Sequence, residues 1–498
     1  MTANHLDYEE YFSRTFGRWT KLWQQMTIPN ERVLMLVRWV WSFFLFVSEQ
    51  LKGDTLMRTL FKNATLVTMN EQRDVIKGDL LVEDANIVAL GSNLVESADR
   101  IIDVQGDLLI PGLIQTHIHL CQTLFRGQAD DLELLDWLKQ RIWPLEGGHD
   151  PESLYDSARL GIGELFLGGT TTIVDMETVH HTEHAFQAII DSGIRAISGK
   201  CMMDHHDADV PLTLQESTEA SLQMSVDLFE RFNGAGNGRL QVAFTPRFVI
   251  SCTDDLLREV ARLAKLKKAY VHTHASENRG EIEVVESTRC MRNIVCLEHL
   301  GLLGPRTILA HCIWLDDQEK ELLVRTQTRI AHCPSSNLKL ASGIAAIPQL
   351  LAMGAQVSLA ADGAPCNNNL DAFIEMRHAA LIQKPLHGPT VMPARQVFEL
   401  ATLGGAKAIG REHDLGSLEP GKKADLAVVS LQGLHTWPHE YTDVYAQLVY
   451  QAHASDVRLT MVDGQIVMQD RQLKTIDVDV LKPSATASLQ RVMQRVGC

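Results

Sequence analysis

The apolar residues of this chain follow two rhythms. Near both ends of the main body they alternate with polar residues, in short runs broken by Gly, Asn and Asp: "TLFKNATLVTMN" (59–70), "GDLLVEDANIVALG" (78–91) and "DRIIDVQGDLLIPG" (99–112) early, "KADLAVVSL" (423–431) and "VRLTMVDGQIVMQD" (457–470) late. A period of two marks half-buried strands joined by tight turns. Two distant segments of one character, flanking everything else, predict a small β-sandwich built jointly from residues 58–110 and 415–475.

Between the flanks the rhythm changes to continuous apolar runs. "GLIQTHIHL", "TTTIVDMETV", "IRAISGKCMM", "LQVAFTPRFVI", "KAYVHTHASE", "RTILAHCIWL", "TRIAHCPSS" and "AQVSLAADG" read as fully buried strands, and helix-patterned segments such as "DDLLREVARLAKL" (254–266) separate many of them. Eight such units predict an α/β protein whose residues 111–414 form a TIM (β/α)8 barrel. A doubly wound open sheet fits less well, because no GxGxxG follows an early strand. In a barrel the C-terminal strand ends form the active-site face, so polar residues there carry functional weight.

Composition narrows the function classes. A chain of 498 residues that is 45% apolar exceeds one ordinary core and suits a large and a small domain. Lys and Arg number 46 against 62 Asp and Glu, a balance of −16, which argues against nucleic acid or an anionic membrane as the main partner. A small, roughly neutral molecule fits better. Nine scattered cysteines with no CxxC pair indicate reduced thiols in a cytoplasmic setting. "VLMLVRWVWSFFLFV" (33–47) is apolar but contains Arg38 and is shorter than the roughly 20 residues a membrane span needs. Residues 1–57 therefore read as an extension: a docking or interfacial helix, or translated sequence ahead of a start near Met57. Residues 476–498 read as a C-terminal tail, and a homo-oligomer is compatible with the sequence.

The chemistry sits at the strand ends. His117 and His119 share one side of the first strand, and His272 and His274 repeat that spacing on the fifth. His311 ends the sixth strand, and Asp362 ends the eighth in "LAADG". Any one of these has a bland reading: a histidine at a strand end is usually a satisfied core residue, and Asp-Gly is usually a turn. Together they aim imidazoles and a carboxylate at one volume, a donor set suited to zinc or ferrous iron.

With those residues in view, "PGLIQTHIHL", "HTHASE", "ILAHC", "AHCPSSNLKLASG" and "LAADGAPCNNNLDAFIEMR" resemble the amidohydrolase superfamily, in its branch of purine, nucleoside and s-triazine deaminases or hydrolases. The likeness covers about residues 58–475. It implies that His117, His119, His274 and Asp362 hold one divalent metal, zinc before iron, with His272 deeper in the barrel. No bridging carboxylated lysine is evident. Such a metal acidifies water and so provides a hydroxide nucleophile at neutral pH. Glu277, three residues after His274, is placed to carry the water's proton to a ring nitrogen. His311 orients the nucleophile and stabilises the tetrahedral intermediate, while Asp362 accepts a proton as well as binding metal.

The segment "TLFRGQADDLELLDWLKQRIWPLE" (123–146) resembles the 5′-methylthioadenosine/S-adenosylhomocysteine deaminases and their 5′-deoxyadenosine-deaminating relatives. By that resemblance Trp137 stacks near the substrate and Glu146 binds a ribose diol, although "LELLDWL" is also an ordinary amphipathic helix. One departure stands out: "TPRFVISC" places Arg247 where those enzymes carry Gly-Pro-His, and together with "SENRGEIE" it is similar to guanine deaminases. Arg247 can donate to purine acceptors in either case. The guanine-type "HAPQY" stretch is absent, so the expected reaction is hydrolytic deamination of an adenine nucleoside to its inosine analogue and ammonia. Guanine or another free base, and s-triazine chlorohydrolase or aminohydrolase chemistry, are the alternatives. "VHHTEH" (179–184) and "DHHDAD" (204–209) read as solvated loops, and Cys312 and Cys333 as small packing residues.

Overall fold

The computed structural model describes residues 56–206 and 209–497. The reading of residues 1–55 as an extension, and the apolar run within it, lies outside the described residues. Among the described residues no helix is long and apolar enough to cross a membrane.

The buried runs form strands, all paired in parallel. They are β1 (Leu113–His119), β2 (Thr170–Met176), β3 (Arg195–Gly199), β4 (Leu240–Val242), β5 (Val271–Ala275), β6 (Thr307–His311), β7 (Arg329–His332), β8 (Gln356–Leu359) and β9 (Asp362–Gly363). One sheet runs β4-β3-β2-β1-β9 and the other β5-β6-β7-β8. At one margin the sheets approach through an isolated parallel bridge between Phe244 and Val271. At the other, Thr116 Oγ1 on β1 lies 2.7 Å from Ser358 Oγ on β8.

This pairing gives two parallel arcs, where the sequence predicts one continuous ring. Both interruptions have local causes. In "LQVAFTPRFVI" β4 stops at Val242 because the Phe244 N–H turns to the Tyr270 carbonyl, and Thr245–Pro246 pairs separately with Cys201–Met202. In "LAADG" the backbone of Asp362 turns left-handed at φ 69°, which parts β9 from β8.

The helices between strands follow their patterns. Asp254–Lys267 starts on the Thr253 side chain, which accepts from the Leu256 N–H, and buries Leu256, Leu257, Val260, Leu263 and Ala264.

The two alternating flanks meet in one nine-stranded mixed sheet. Its seam is the antiparallel pairing of Leu108–Pro111 with Leu426–Val429, in which Ile110 faces Ala427. Phe61, Leu66, Leu80, Ile87, Leu109, Leu426, Val428 and Met461 form its core. Alternation decides which residues go inward, and each such side chain contributes about 1.5–3 kcal/mol by leaving water.

Sheet and parallel arcs are joined by a buried ion pair. Arg195, at the start of β3, donates from Nε to Asp425 Oδ2 at 2.9 Å and from Nη2 to Asp425 Oδ1 at 3.0 Å and to Asp463 Oδ1 at 3.1 Å. The Arg195 and Asp425 side chains are each 4% exposed. Removing one member leaves the other charged and buried, so Asp425→Ala is expected to lower unfolding free energy by roughly 3–5 kcal/mol in denaturant titration. A change below about 1 kcal/mol would mean that Arg195 finds water.

Within residues 476–498, read from the sequence as a C-terminal tail, Val478–Val496 forms a helix packed on the helix Pro151–Leu167. Ser484 and Ser488 both donate to Asp156 Oδ2, at 2.5 and 2.8 Å. Arg495 donates to the Gly148 carbonyl at 2.9 Å and pairs with Asp150, the N-cap of Pro151–Leu167. The pattern that hid this helix is its modest apolar stripe, interrupted by Pro483.

Candidate active site

β1, β5, β6 and β9 bring their C-terminal ends to one point. On β1 the period of two puts His117 and His119 side by side, with ring centroids 4.7 Å apart. His274 on β5 stacks on His119, and His311 closes β6. Asp362 Oδ1 lies 3.3 Å from His117 Nε2 and 3.5 Å from His119 Nε2.

Every one of these rings is oriented through its other nitrogen. His119 Nδ1 is 2.8 Å from the Met176 carbonyl, His274 Nδ1 is 2.6 Å from the Arg247 carbonyl, and His311 Nδ1 is 2.9 Å from Asn337 Oδ1. Each acceptor can only accept, so Nδ1 carries the proton and Nε2 keeps its lone pair. His272 works one layer back: its Nδ1 meets the Ile308 carbonyl at 3.0 Å, and its Nε2 accepts from His117 Nδ1 at 2.7 Å. His117 Nε2 is thereby left buried with no hydrogen-bond partner. His119 Nε2 and His274 Nε2 face each other at 3.2 Å as two bare lone pairs. A cation between them removes that repulsion, and three imidazole nitrogens with one carboxylate oxygen suit a divalent ion.

The charge states agree. Burial lowers the His117 pKa to about 4 and lowers His274 well below its usual value, so both are neutral at pH 7, the form in which an imidazole can bind a cation.

Glu277 stands beside this cluster, with Oε2 3.5 Å from His311 Nε2 and Oε1 3.4 Å from the Ser342 hydroxyl. Burial pushes its carboxyl up to about 7 against the opposing pull of His311, which suits a group that takes and returns a proton near neutrality. Ser276, His311, Cys312 and Asp362 all have left-handed backbones, with φ of 53°, 72°, 48° and 69°. Such strain at non-glycine residues costs about 1–3 kcal/mol each and gathers where geometry serves chemistry.

The cluster opens into a narrow cleft lined by His119, Gln122, Leu134, Trp137, Leu138, Arg247, Phe248, His274, Glu277, His311, Leu340 and Asp362. Trp137 comes from a short turn of helix, Leu134–Trp137, and is 4% exposed. Glu146 does not line the cleft. It stands behind Arg247, whose Nη1 donates to its Oε2 at 2.7 Å and whose Nη2 donates to its Oε1 at 3.2 Å. Gln122 Nε2 adds a third bond to Oε1 at 2.8 Å. Burial opposes the charge on Glu146, yet Arg247 keeps its pKa below the usual value.

Several residues of the site escaped the sequence reading. Gln122 lines the cleft with Oε1 unpartnered, and a Cβ on Gly363 would come within 2.2 Å of that atom, which explains the glycine after Asp362. Its spacing of three from His119 was the available signal. Asn337 and Ser342 lie in the "PSSNLKLASG" stretch without a spacing that marks them. The loop histidines stay outside the cluster; His206, for example, bonds the Glu216 carbonyl. Cys333 is buried against His311 and Asp362, and burial keeps its thiol protonated.

Residues 108–467 match the amidohydrolase family. The chain belongs to that family. Amidohydrolases similar to it include the 5′-deoxyadenosine deaminase of Methanosarcina acetivorans, 36% identical over 88% of this chain and 98% of that one. The 5-methylthioadenosine/S-adenosylhomocysteine deaminase of Desulfitobacterium hafniense is 38% identical over 81% and 91%. Among solved amidohydrolase structures, an adenosine deaminase from Xanthomonas campestris with bound zinc superposes with a TM-score of 0.82 at 30% identity, over 88% of this chain and 99% of that one.

Proposed function

We propose that the protein is a metal-dependent aminohydrolase that deaminates an adenine nucleoside of the 5′-deoxyadenosine, 5′-methylthioadenosine or S-adenosylhomocysteine type, releasing ammonia and the inosine analogue. The carrying observation is the convergence of three bare imidazole nitrogens and the Asp362 carboxylate beside the buried acid Glu277. It occurs on a chain that resembles deaminases of these substrates along most of its length.

His117, His119, His274 and Asp362 would hold the ion, zinc in the first instance. Such an ion, once bound, acidifies water so that it attacks an electron-poor ring carbon at neutral pH. Glu277 takes one proton of the water and delivers it to the adjacent ring nitrogen, where it stays in the product; the second proton passes from the new ring hydroxyl to the amino group, which leaves as ammonia while the ring C=O forms. His311, fixed by Asn337, faces the position where negative charge develops and stabilises it. Trp137 and Phe248 exclude water from the base, and Arg247 donates to a purine ring acceptor.

Glu146 is the ribose ligand in this reading, reached when the diol displaces part of the Arg247 and Gln122 bonding. The same bonding favours a second reading: with both carboxylate oxygens engaged, Arg247 and Gln122 face the cleft and could bind a free base such as guanine. Ammonia release from 5′-deoxyadenosine against guanine separates the two. Charge-assisted bonds contribute about 1.5–3 kcal/mol each, so Glu146→Gln is expected to lower kcat/KM on the nucleoside by one to several powers of ten. Better turnover of guanine, or equal turnover of 2′,3′-dideoxy analogues, would overturn the ribose reading.

The two parallel arcs are in our reading the halves of an eight-stranded barrel spanning residues 111–414. The Phe244–Val271 bridge, the Asp362–Ile118 pairing and the Thr116–Ser358 bond support closure. Residues 58–110 and 415–475 make the accompanying sandwich domain. Eight free cysteines among the described residues are consistent with a reducing, cytoplasmic setting.

A further inference from the structure

The loop that follows Leu426–Val429 exposes Leu434, Trp437 and Tyr441, and His435 within it reaches across to a neighbouring turn. His435 Nε2 lies 2.8 Å from Asp456 Oδ2. The same oxygen is 3.7 Å from His453 Nδ1 and accepts the His453 backbone N–H at 2.8 Å. The two imidazole rings have centroids 4.8 Å apart, with planes inclined at 45°. Two ring nitrogens and one carboxylate oxygen thus lie within 4.8 Å of one another.

We propose that His435, His453 and Asp456 form a second metal site, for zinc or a similar borderline divalent ion, sharing no residue with the catalytic cleft. The donor set is right: imidazole nitrogen and carboxylate oxygen suit such ions, and three protein ligands leave a fourth position for water. The distances are right as well. Metal–ligand bonds of 2.0–2.2 Å in a tetrahedron set the donor atoms about 3.3 Å apart. The observed 2.8 and 3.7 Å lie on either side of that value. Asp456 provides the fixed point, its side chain only 12% exposed, while the His435 and His453 side chains, 40% and 58% exposed, can turn to meet an ion. Arg471, the cation acting on Asp456, does not occupy the carboxylate; it donates to the Leu167 and Ala454 carbonyls. A bound ion would add a three-ligand clamp between the exposed loop and the turn Ala454–Asp456.

The test is metal stoichiometry at micromolar free zinc, on untagged full-length protein first stripped with chelator. The parent is expected to hold two equivalents, whereas His453→Ala and His435→Ala each hold one and keep turnover within about twofold of the parent. In a His274→Ala background the surviving equivalent should vanish when His453→Ala is added, so the result stands whatever the catalytic ion proves to be. One equivalent in the parent that is unchanged by His435→Ala and by His453→Ala would overturn the site. So would a second equivalent that persists in both His435→Ala and His453→Ala.

Discussion

His274→Ala is expected to strip the catalytic metal and reduce ammonia release by more than a hundredfold. The ring contributes one of three bare nitrogens, stacked on His119 and aimed by the Arg247 carbonyl. Changes that merely disturb the partners of metal ligands already lower affinity or activity by roughly 10–100-fold, so loss of a ligand should exceed that range. Elemental analysis of parent and variant at equal chelator exposure checks it: the parent should retain a metal at the cleft that the variant lacks. A variant that keeps the metal and turns over normally would remove the ion from the mechanism altogether.

Glu277→Gln should have the opposite metal signature with a comparable loss of rate. The amide keeps the shape of the side chain and its reach to Ser342, but cannot take a proton. Metal content is therefore expected to match the parent while kcat falls by roughly 10²–10⁴-fold, the range of general acid–base catalysis. KM should move little, because the substitution leaves the walls of the cleft in place. A kcat within about threefold of the parent would return Glu277 to a structural role. The two variants together separate holding the ion from moving the proton.

The gathering of His117, His119, His274 and Asp362 was legible in the sequence because these residues lie at or near the ends of buried strands, where a period of two and a known chain direction fix which way a side chain points. His117 and His119 needed no more than that. The relation between Glu146 and Arg247 was not legible. They are about a hundred residues apart, on elements whose contact depends on how a loop folds over the strand ends, and both could be read only as separate substrate contacts. Gln122 was hidden for the same reason. The continuous ring was expected from eight apolar runs, but periodicity carries no information on where the turned Phe244 N–H or the left-handed Asp362 breaks a ladder. Likewise the C-terminal helix adds, to an apolar face of Leu481, Ala485, Leu489 and Val492, serine and arginine bonds to Asp156, Gly148 and Asp150, contacts that leave no periodic trace.

The seam of the nine-stranded sheet has a consequence for how the chain is made. Leu108–Pro111 leaves the ribosome early, but its partner Leu426–Val429 is encoded about 300 residues downstream. At synthesis rates of 5–20 residues per second, that early strand waits roughly 15–60 s with an unpaired edge. Its apolar residues Leu109 and Ile110 are meanwhile open to pairing with other nascent chains. Yield in a heterologous host should therefore respond to slower growth temperature and to chaperones that shield strand edges more than to any change in the metal supply.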